Sequence, residues 1–524
     1  MTSNDVGLPY RTEAVSTVAS NRLVEGAFLV AGILTAIYAV TSLALPFGWD
    51  QGMMASVGSS WVHGGVPYVT GWEIKGPISF VPYALAQLLF GPTMWGVRIF
   101  DVLMSAAASC VFYAGIRSLT NWQVGAWATI GFYYWIASAG WFYTAAPDPW
   151  AGFLCVMAIV PLVATNKALS GWRLLLSGFL IGCIGLIKPL YLLAGIAPLL
   201  SVALVPRLTG KRRAGLAFVL AIGAAAPIMA MYGYLAWRGG LSQVIEAHIL
   251  YPLSTYAHVS VGTTPVQGFA NFFARPTVAL MTPFIGLGIW EFRKQPQLLW
   301  PVLGWLAALL VIVVAQGKYF PAHWLPVYAP LVFLAALGAH ALARDDRKAG
   351  ASRIVAFGAA LMFTVQVCAP PFYDATKCIY YLDMKHAPDR YYASFEFFHV
   401  YNAEDERAAA SYIAGRTSPE DGVFIWGNDA TVRYLANRPN PSRFTYEMPL
   451  SLPGRYLARY RVEVMHELRA RPPTYFIVGI NWWGADSKAQ ALGKFSALAA
   501  FLNQGYSLEK SFGALDLYRR NATP

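Results

Sequence analysis

The chain has 524 residues, of which 56% are hydrophobic and only 13% charged. A soluble domain carries about 25% charged residues, so this composition excludes an ordinary soluble protein and points to a polytopic membrane protein. The net charge of +12 is read as topology rather than as a nucleic-acid footprint, because the basic residues fall mostly in short loops.

A membrane-crossing helix needs about 20 apolar residues. In chain order, the apolar runs predict spans over 23–45, 97–116, 124–144, 149–165, 172–187, 189–206, 214–237, 277–292, 298–315, 320–342 and 352–370, about 11 in all. The pair 172–187 and 189–206 is short enough to be one broken unit. No signal-peptidase site follows the first span, which is read as an uncleaved signal anchor. Arg117, Lys167, Arg173, Arg207, Lys211, Arg212, Arg213, Arg293, Lys294, Arg344, Arg347 and Lys348 fall in alternate loops. They share one side only if 78–90 lies in the interface as an amphipathic helix instead of crossing. The positive-inside rule then puts the N-terminus in the cytoplasm. The loop 46–96, Asp148, Lys188, the loop 238–275, the turn 316–318 and everything after 371 lie outside.

Past residue 371 the charge rises and long apolar runs stop. Segments 423–427 and 475–479 predict buried strands. Helical patterns at 404–415, 455–470 and 487–503 flank them, and 506–519 suits a terminal hairpin. The expected organisation is a mainly α transmembrane module over 1–371, with a large first external loop at 46–96, followed by a soluble α/β domain over 372–524. No glycine-rich phosphate loop of the dinucleotide or P-loop type is present. The five cysteines lack CxxC or metal spacing. Cys368 and Cys378 flank the end of the last span, where an oxidising compartment would permit a disulfide.

Ionisable groups close to the hydrocarbon region are costly and mark chemistry or ion handling. Here they gather on one predicted side. Asp50, after Phe47-Gly48-Trp49, reads either as a helix cap or as a general base able to accept a hydroxyl proton. Asp148, in Ala145-Ala146-Pro147-Asp148-Pro149-Trp150, is likewise a cap with Pro149 in the first turn or a functional carboxylate. Glu73 is a surface partner of Lys75, or it joins Asp148 in steadying a divalent cation or the site lysines. No other cofactor is implied. Lys75, Arg98, Lys188 and Lys318 are cations at the outer surface. They either snorkel or hold the phosphate of an anionic lipid. His323 follows Lys318 and Tyr319 in Gln-Gly-Lys-Tyr-Phe-Pro-Ala-His-Trp and more often serves structure than chemistry. Arg443 is a candidate for reaching the membrane face. Loop 238–275 is long for a bare connection, and its aromatics are candidates for covering a substrate.

In order along the chain stand Asp50, the Gly65-x-Pro67-Tyr68 turn, Lys75-Gly76-Pro77, Phe90-Gly91, Arg98, Asp148, Lys188 in Ile-Lys-Pro, Lys318-Tyr319 with His323, Val423-Phe424-Ile425-Trp426-Gly427, and Ser442-Arg443-Phe444. This pattern resembles the GT-C membrane glycosyltransferases, in the group of protein O-mannosyltransferases, aminoarabinose transferases and lipopolysaccharide galacturonosyltransferases. The resemblance implies a polyprenyl-phosphate-linked sugar as donor and a lipid, glycan or protein acceptor, with no nucleic acid partner. It implies inverting transfer on the periplasmic or external face of the bacterial inner membrane, with Asp50 as base. It places Lys75, Arg98, Lys188 and Lys318 near the donor phosphate, and Tyr68, Tyr319 and His323 along the substrate. The chain departs from the pattern in two places. Gln51 follows Asp50 where many relatives have a second acid, and Glu73 stands two residues before Lys75 where some have the acid adjacent. The competing expectations are a flippase of lipid-linked sugars and a ligase or polymerase using polyprenyl-diphosphate glycans.

Overall fold

The computed structural model describes residues 10–164, 169–206, 208–344, 350–382, 387–398, 400–480 and 487–522. Each predicted apolar run falls on a helix. Nine open the chain: α1 Tyr10–Ser42, α2 Trp49–Val62, α3 Val81–Phe90, α4 Met94–Leu119, α5 Trp122–Ala137, α6 Pro147–Val163, α7 Gly171–Gly185, α8 Ile196–Ala203 and α9 Gly210–Trp237. The long helices Pro276–Phe292, Pro296–Gln316, Tyr328–Arg344 and Ala351–Thr376 follow. Among the described residues, six helices are long and apolar enough to cross a membrane. The count is seven if Pro265–Phe273 and Pro276–Phe292, bent by 81°, make one span. The expectation of about 11 is larger because α5, α6, α7 and the stretch Pro189–Ala203 are each too short to be counted by length.

Small residues let the helices approach closely where lipid supplies no hydrophobic drive. A Cβ on Gly178 or Gly182 of α7 would stand 2.1 or 2.2 Å from a carbonyl oxygen of α9, so this Gly-x-x-x-Gly face fits only without side chains.

Two departures from the sequence reading, and one break that it expects, build the site. The first loop contains α2, hidden in sequence by its Gly and Ser content, so Asp50 lies in a helical first turn. The predicted span 124–144 stops at Ala137 and gives way to a turn with Gly140 and Ala145 at positive φ. The break after α7 continues as a 3-10 turn, Pro189–Gly195, because Pro189 cannot extend a helix. The predicted interfacial element appears as a 3-10 turn, Pro77–Phe80, running into α3.

Beyond Leu382 the chain forms a small mixed sheet in which Val423–Trp426, Tyr475–Val478, Leu515–Arg520 and Tyr506–Phe512 lie side by side in that order. Strands β1 Glu396–Phe397 and β2 Tyr401–Asn402 make a separate pair. In the main sheet, β3 Val423–Trp426 runs parallel to β4 Tyr475–Val478, with Val423 opposite Tyr475. The hairpin of β5 Tyr506–Phe512 and β6 Leu515–Arg520 adds antiparallel to β4. All eight side chains of β3 and β4 are buried, as expected for strands covered on both faces. Cys368 and Cys378 are free thiols. Ten helical residues separate them by about 15 Å, beyond disulfide reach.

Candidate active site

The site begins at the N-terminus of α2. Gln51, buried beside Asp50, donates to the carbonyls of Trp141, Phe142 and Thr144 at 3.3, 3.1 and 2.7 Å and accepts from Gly48 N at 3.0 Å. An amide supplies both donor and acceptor, whereas an ionised acid supplies only acceptors. The residue that departs from the acidic-pair pattern therefore fastens α2 to the turn leading to Asp148. The Asp50 side chain stays half exposed and accepts from Lys75 Nζ at 2.8 Å.

Glu73 is fully buried. Its Oε1 accepts from Ile74 N at 2.9 Å, from Lys75 N and Nζ at 3.3 and 3.4 Å, and from Tyr446 OH at 3.3 Å. Burial pushes the Glu73 carboxyl above its ordinary range, Lys75 opposes this and Asp50 adds to it. Burial alone would lower the Lys75 ammonium, but Asp50 and Glu73 outweigh it and hold the pKa above its usual value.

Gly76 joins this loop to the next cluster. Its N–H donates to Ile187 O at 2.9 Å, and a Cβ there would lie 1.8 Å from Leu186 O. Only glycine permits that approach, which sets Lys75 near Lys188. Lys188 Nζ donates to Asp148 Oδ1 at 2.6 Å and to Gln316 Oε1 at 2.8 Å, and Tyr191 OH donates to the same Asp148 oxygen at 2.6 Å. His323 is buried, within electrostatic reach of Lys188, Asp148, Asp50 and Lys318. Asp50, Glu73, Lys75, Asp148, Lys188 and His323 thus converge from five segments of chain.

The remaining candidates stand differently. Arg98 is buried, and its guanidinium donates to Thr144 Oγ1 at 2.8 Å and to the carbonyls of Pro46 and Trp141. It ties the end of α1 to the turn after α5 and presents no open face to a ligand. Tyr68 is fully buried, at φ +69°, and donates to Lys75 O at 2.7 Å, so it supports the lysine instead of lining an open surface. Lys318 Nζ donates to Val259 O and, at 3.5 Å, to Ala257 O. Burial lowers its pKa. Tyr319 packs over Gly268. Glu73 and Asp148 belong to separate ion pairs, and among the described residues no three His, Cys, Asp or Glu side chains gather as metal ligands.

The C-terminal region packs on the same loop. Trp72 N donates to Arg443 O at 2.6 Å, and Trp72 Nε1 donates to Tyr460 OH at 3.3 Å. Arg443 pairs with Glu463 at 2.6 Å and with Glu246 at 3.6 Å. The expectation that it reaches the membrane face gives way to this buried clamp. Trp49 Nε1 donates to Asp429 Oδ1 at 3.3 Å, and burial raises the Asp429 carboxyl to about 7. His248, in a π-helical turn at Ile245–Leu250, approaches Ile74 O at 3.2 Å, and burial lowers its pKa to about 4.

Sequence reasoning marked Gln51 only as a departure from the acidic pair and missed Tyr191, Tyr446 and Asp429. The first two adjoin singled-out residues, Asp50 and Lys188. The last two lie more than 370 residues from their partners and carry no local signal.

No family model and no curated protein sequence matches the chain. Among solved structures it resembles ArnT from Cupriavidus metallidurans bound to undecaprenyl phosphate. That match has a TM-score of 0.63 and 13% identity, covering 95% of this chain and 98% of that one. The apo state of the same protein matches with a TM-score of 0.61 and 14% identity, over 97% and 100% of the two chains. At this identity the likeness is one of fold. The chain has the GT-C fold of membrane glycosyltransferases, as the ordered motifs implied.

Proposed function

We propose that the chain transfers a sugar from a polyprenyl phosphate to a hydroxyl of a lipid, glycan or protein acceptor, on the external face of a bacterial inner membrane. The observation that carries this reading is the juxtaposition of two lysine–carboxylate pairs, Lys75–Asp50 and Lys188–Asp148, through the Gly76 contact with residues 186–187. One carboxylate of the set, Asp50, is open to solvent, while the lysines are largely covered.

In this reading Asp50 accepts the proton of the acceptor hydroxyl. The acceptor oxygen attacks the anomeric carbon, the bond from that carbon to the phosphate oxygen breaks, and the configuration inverts. The phosphate leaves with the electron pair, and its growing charge is met by Lys75 and Lys188. Fixed cations in a water-poor crevice stabilise such charge without reorganising. The raised pKa of Lys75 keeps it protonated throughout. Asp148, Tyr191 and Gln316 hold Lys188 in place, while Glu73 and Tyr68 hold Lys75. His323 and Tyr319 border the site, and Arg98 is a positioning residue for the turn that carries Thr144.

The test is a transfer assay with the purified protein in lipid, a panel of polyprenyl-phosphate sugars and native membrane extract as acceptor. Transfer is expected in the wild type and should drop by about 10²–10⁴ in Asp50→Asn, the range for losing a general base. Undiminished transfer by a folded Asp50→Asn protein removes Asp50 from that role.

A further inference from the structure

We infer that Glu406 is held as a neutral carboxylic acid and, through Tyr401, is a positioning residue for the first turn of α2 and so for Asp50. The inference rests on the transferase reading above, which gives Asp50 its role.

Tyr401 begins β2, and Asn402 caps the helix that follows, Ala403–Ala414, by accepting from Glu404 N at 2.9 Å. The first turn of that helix brings Glu406 back to Tyr401. The Tyr401 hydroxyl oxygen lies 2.6 Å from Glu406 Oε2 and 2.7 Å from Phe47 O, and all three residues are buried. A phenol has one proton to give. The Phe47 carbonyl has none, and neither has an ionised carboxylate. With Glu406 ionised, one of the two contacts would hold two bare oxygens at hydrogen-bond distance. Both are satisfied when Glu406 donates its own proton to Tyr401 and Tyr401 donates to Phe47 O.

The surroundings favour that neutral acid. Among the described residues no lysine, arginine or histidine pairs with Glu406, and its neighbour Arg407 is turned onto Glu404 and Asp389. Burial raises the Glu406 carboxyl well above its usual range. The acids that face it, Asp429 just before the helix Ala430–Ala436 and Asp405 on its own helix, add to the shift.

The consequence falls on Asp50. Gly48, next to Phe47, is the N-cap of α2, and Asp50 lies in the first turn. The Tyr401 ring packs on Trp49, Trp141 and Phe142 at centroid distances of 6.0, 5.7 and 5.9 Å, which directs its hydroxyl. The carbonyls of Trp141 and Phe142 also receive Gln51, so Gln51 and Tyr401 hold the same helix start from two sides. If Glu406 ionises, its carboxylate draws the Tyr401 proton, and Phe47 O loses its donor. A buried carbonyl left without a donor is costly, so the start of α2 shifts and carries Asp50 with it.

The test uses the full-length protein in lipid nanodiscs. The infrared difference between wild type and Glu406→Gln at neutral pH should show the carbonyl stretch of a protonated carboxyl. Tyr401→Phe should shift that band, because the acid loses its acceptor. Transfer in the assay above should decline as pH rises through the ionisation of Glu406. Glu406→Gln, whose amide N–H also donates to Tyr401, should rescue transfer at the alkaline end by about tenfold, the scale of one buried hydrogen bond. Tyr401→Phe should lose about tenfold at every pH for the same reason. Absence of the band means an ionised Glu406 and overturns the proposal. So does an alkaline profile that Glu406→Gln leaves unchanged. A wild type that shows the band but transfers no sugar removes the transferase reading instead, with the proton on Glu406 established.

Discussion

Replacing Gly76 by alanine isolates the contact on which the site depends. The added Cβ would stand 1.8 Å from Leu186 O and 2.7 Å from His248 Cε1, whereas real Cβ contacts essentially never fall below 3.0 Å. The carbonyl is backbone and gives little, so the loop must retreat by about 1.2 Å. That movement breaks the 2.9 Å bond from Gly76 N to Ile187 O and separates Lys75 from Lys188. A misplacement of about 1 Å costs about 10²-fold in rate when groups must act together. Transfer in the assay above is therefore expected to fall about a hundredfold, with a loss of about 1–3 kcal/mol in stability from overpacking. Gly215→Ala is the control, since no atom lies within 4 Å of a Cβ there, and it should leave both unchanged. Transfer by Gly76→Ala within about threefold of wild type, against the hundredfold expected from misplacement, would refute the claim that this contact assembles the site.

Two further predictions concern the charges. Lys188→Met leaves the buried Asp148 carboxylate with the Tyr191 hydroxyl but no cation beside it. It should cost about 3–5 kcal/mol and abolish transfer, whereas Lys188→Met with Asp148→Leu should recover stability in thermal melts but not activity. Recovered activity would place the chemistry elsewhere. Asp429, with its pKa raised to about 7 by burial, holds its proton more tightly folded than unfolded. Stability from this group is full below about pH 4 and is lost as pH rises toward 7, because the folded state binds more protons in that window. Melting temperature should therefore decline between about pH 4 and 7, and Asp429→Asn should flatten the decline. An unchanged slope in the variant would assign the pH dependence to another group, with the buried Glu406, also raised by burial, the first to examine.

Much of the fold was determined by local sequence. Apolar runs fixed where the long helices lie, since lipid leaves a backbone no partner but itself. The apolar runs at 423–427 and 475–479 fixed the two central strands for a similar reason, burial on both faces. The candidate carboxylates and lysines stood out because charge beside hydrocarbon needs an explanation, and Asp50, Glu73, Lys75, Asp148 and Lys188 do come together. Only the tertiary structure decided which cations face the site and which support it. Arg98 and Lys75 look alike in sequence, yet Arg98 is turned inward onto three oxygens of the bundle. Tyr446 and Asp429 became partners of the first loop through docking of a region several hundred residues away. Such pairings depend on through-space distance and burial, and no spacing along the chain encodes them.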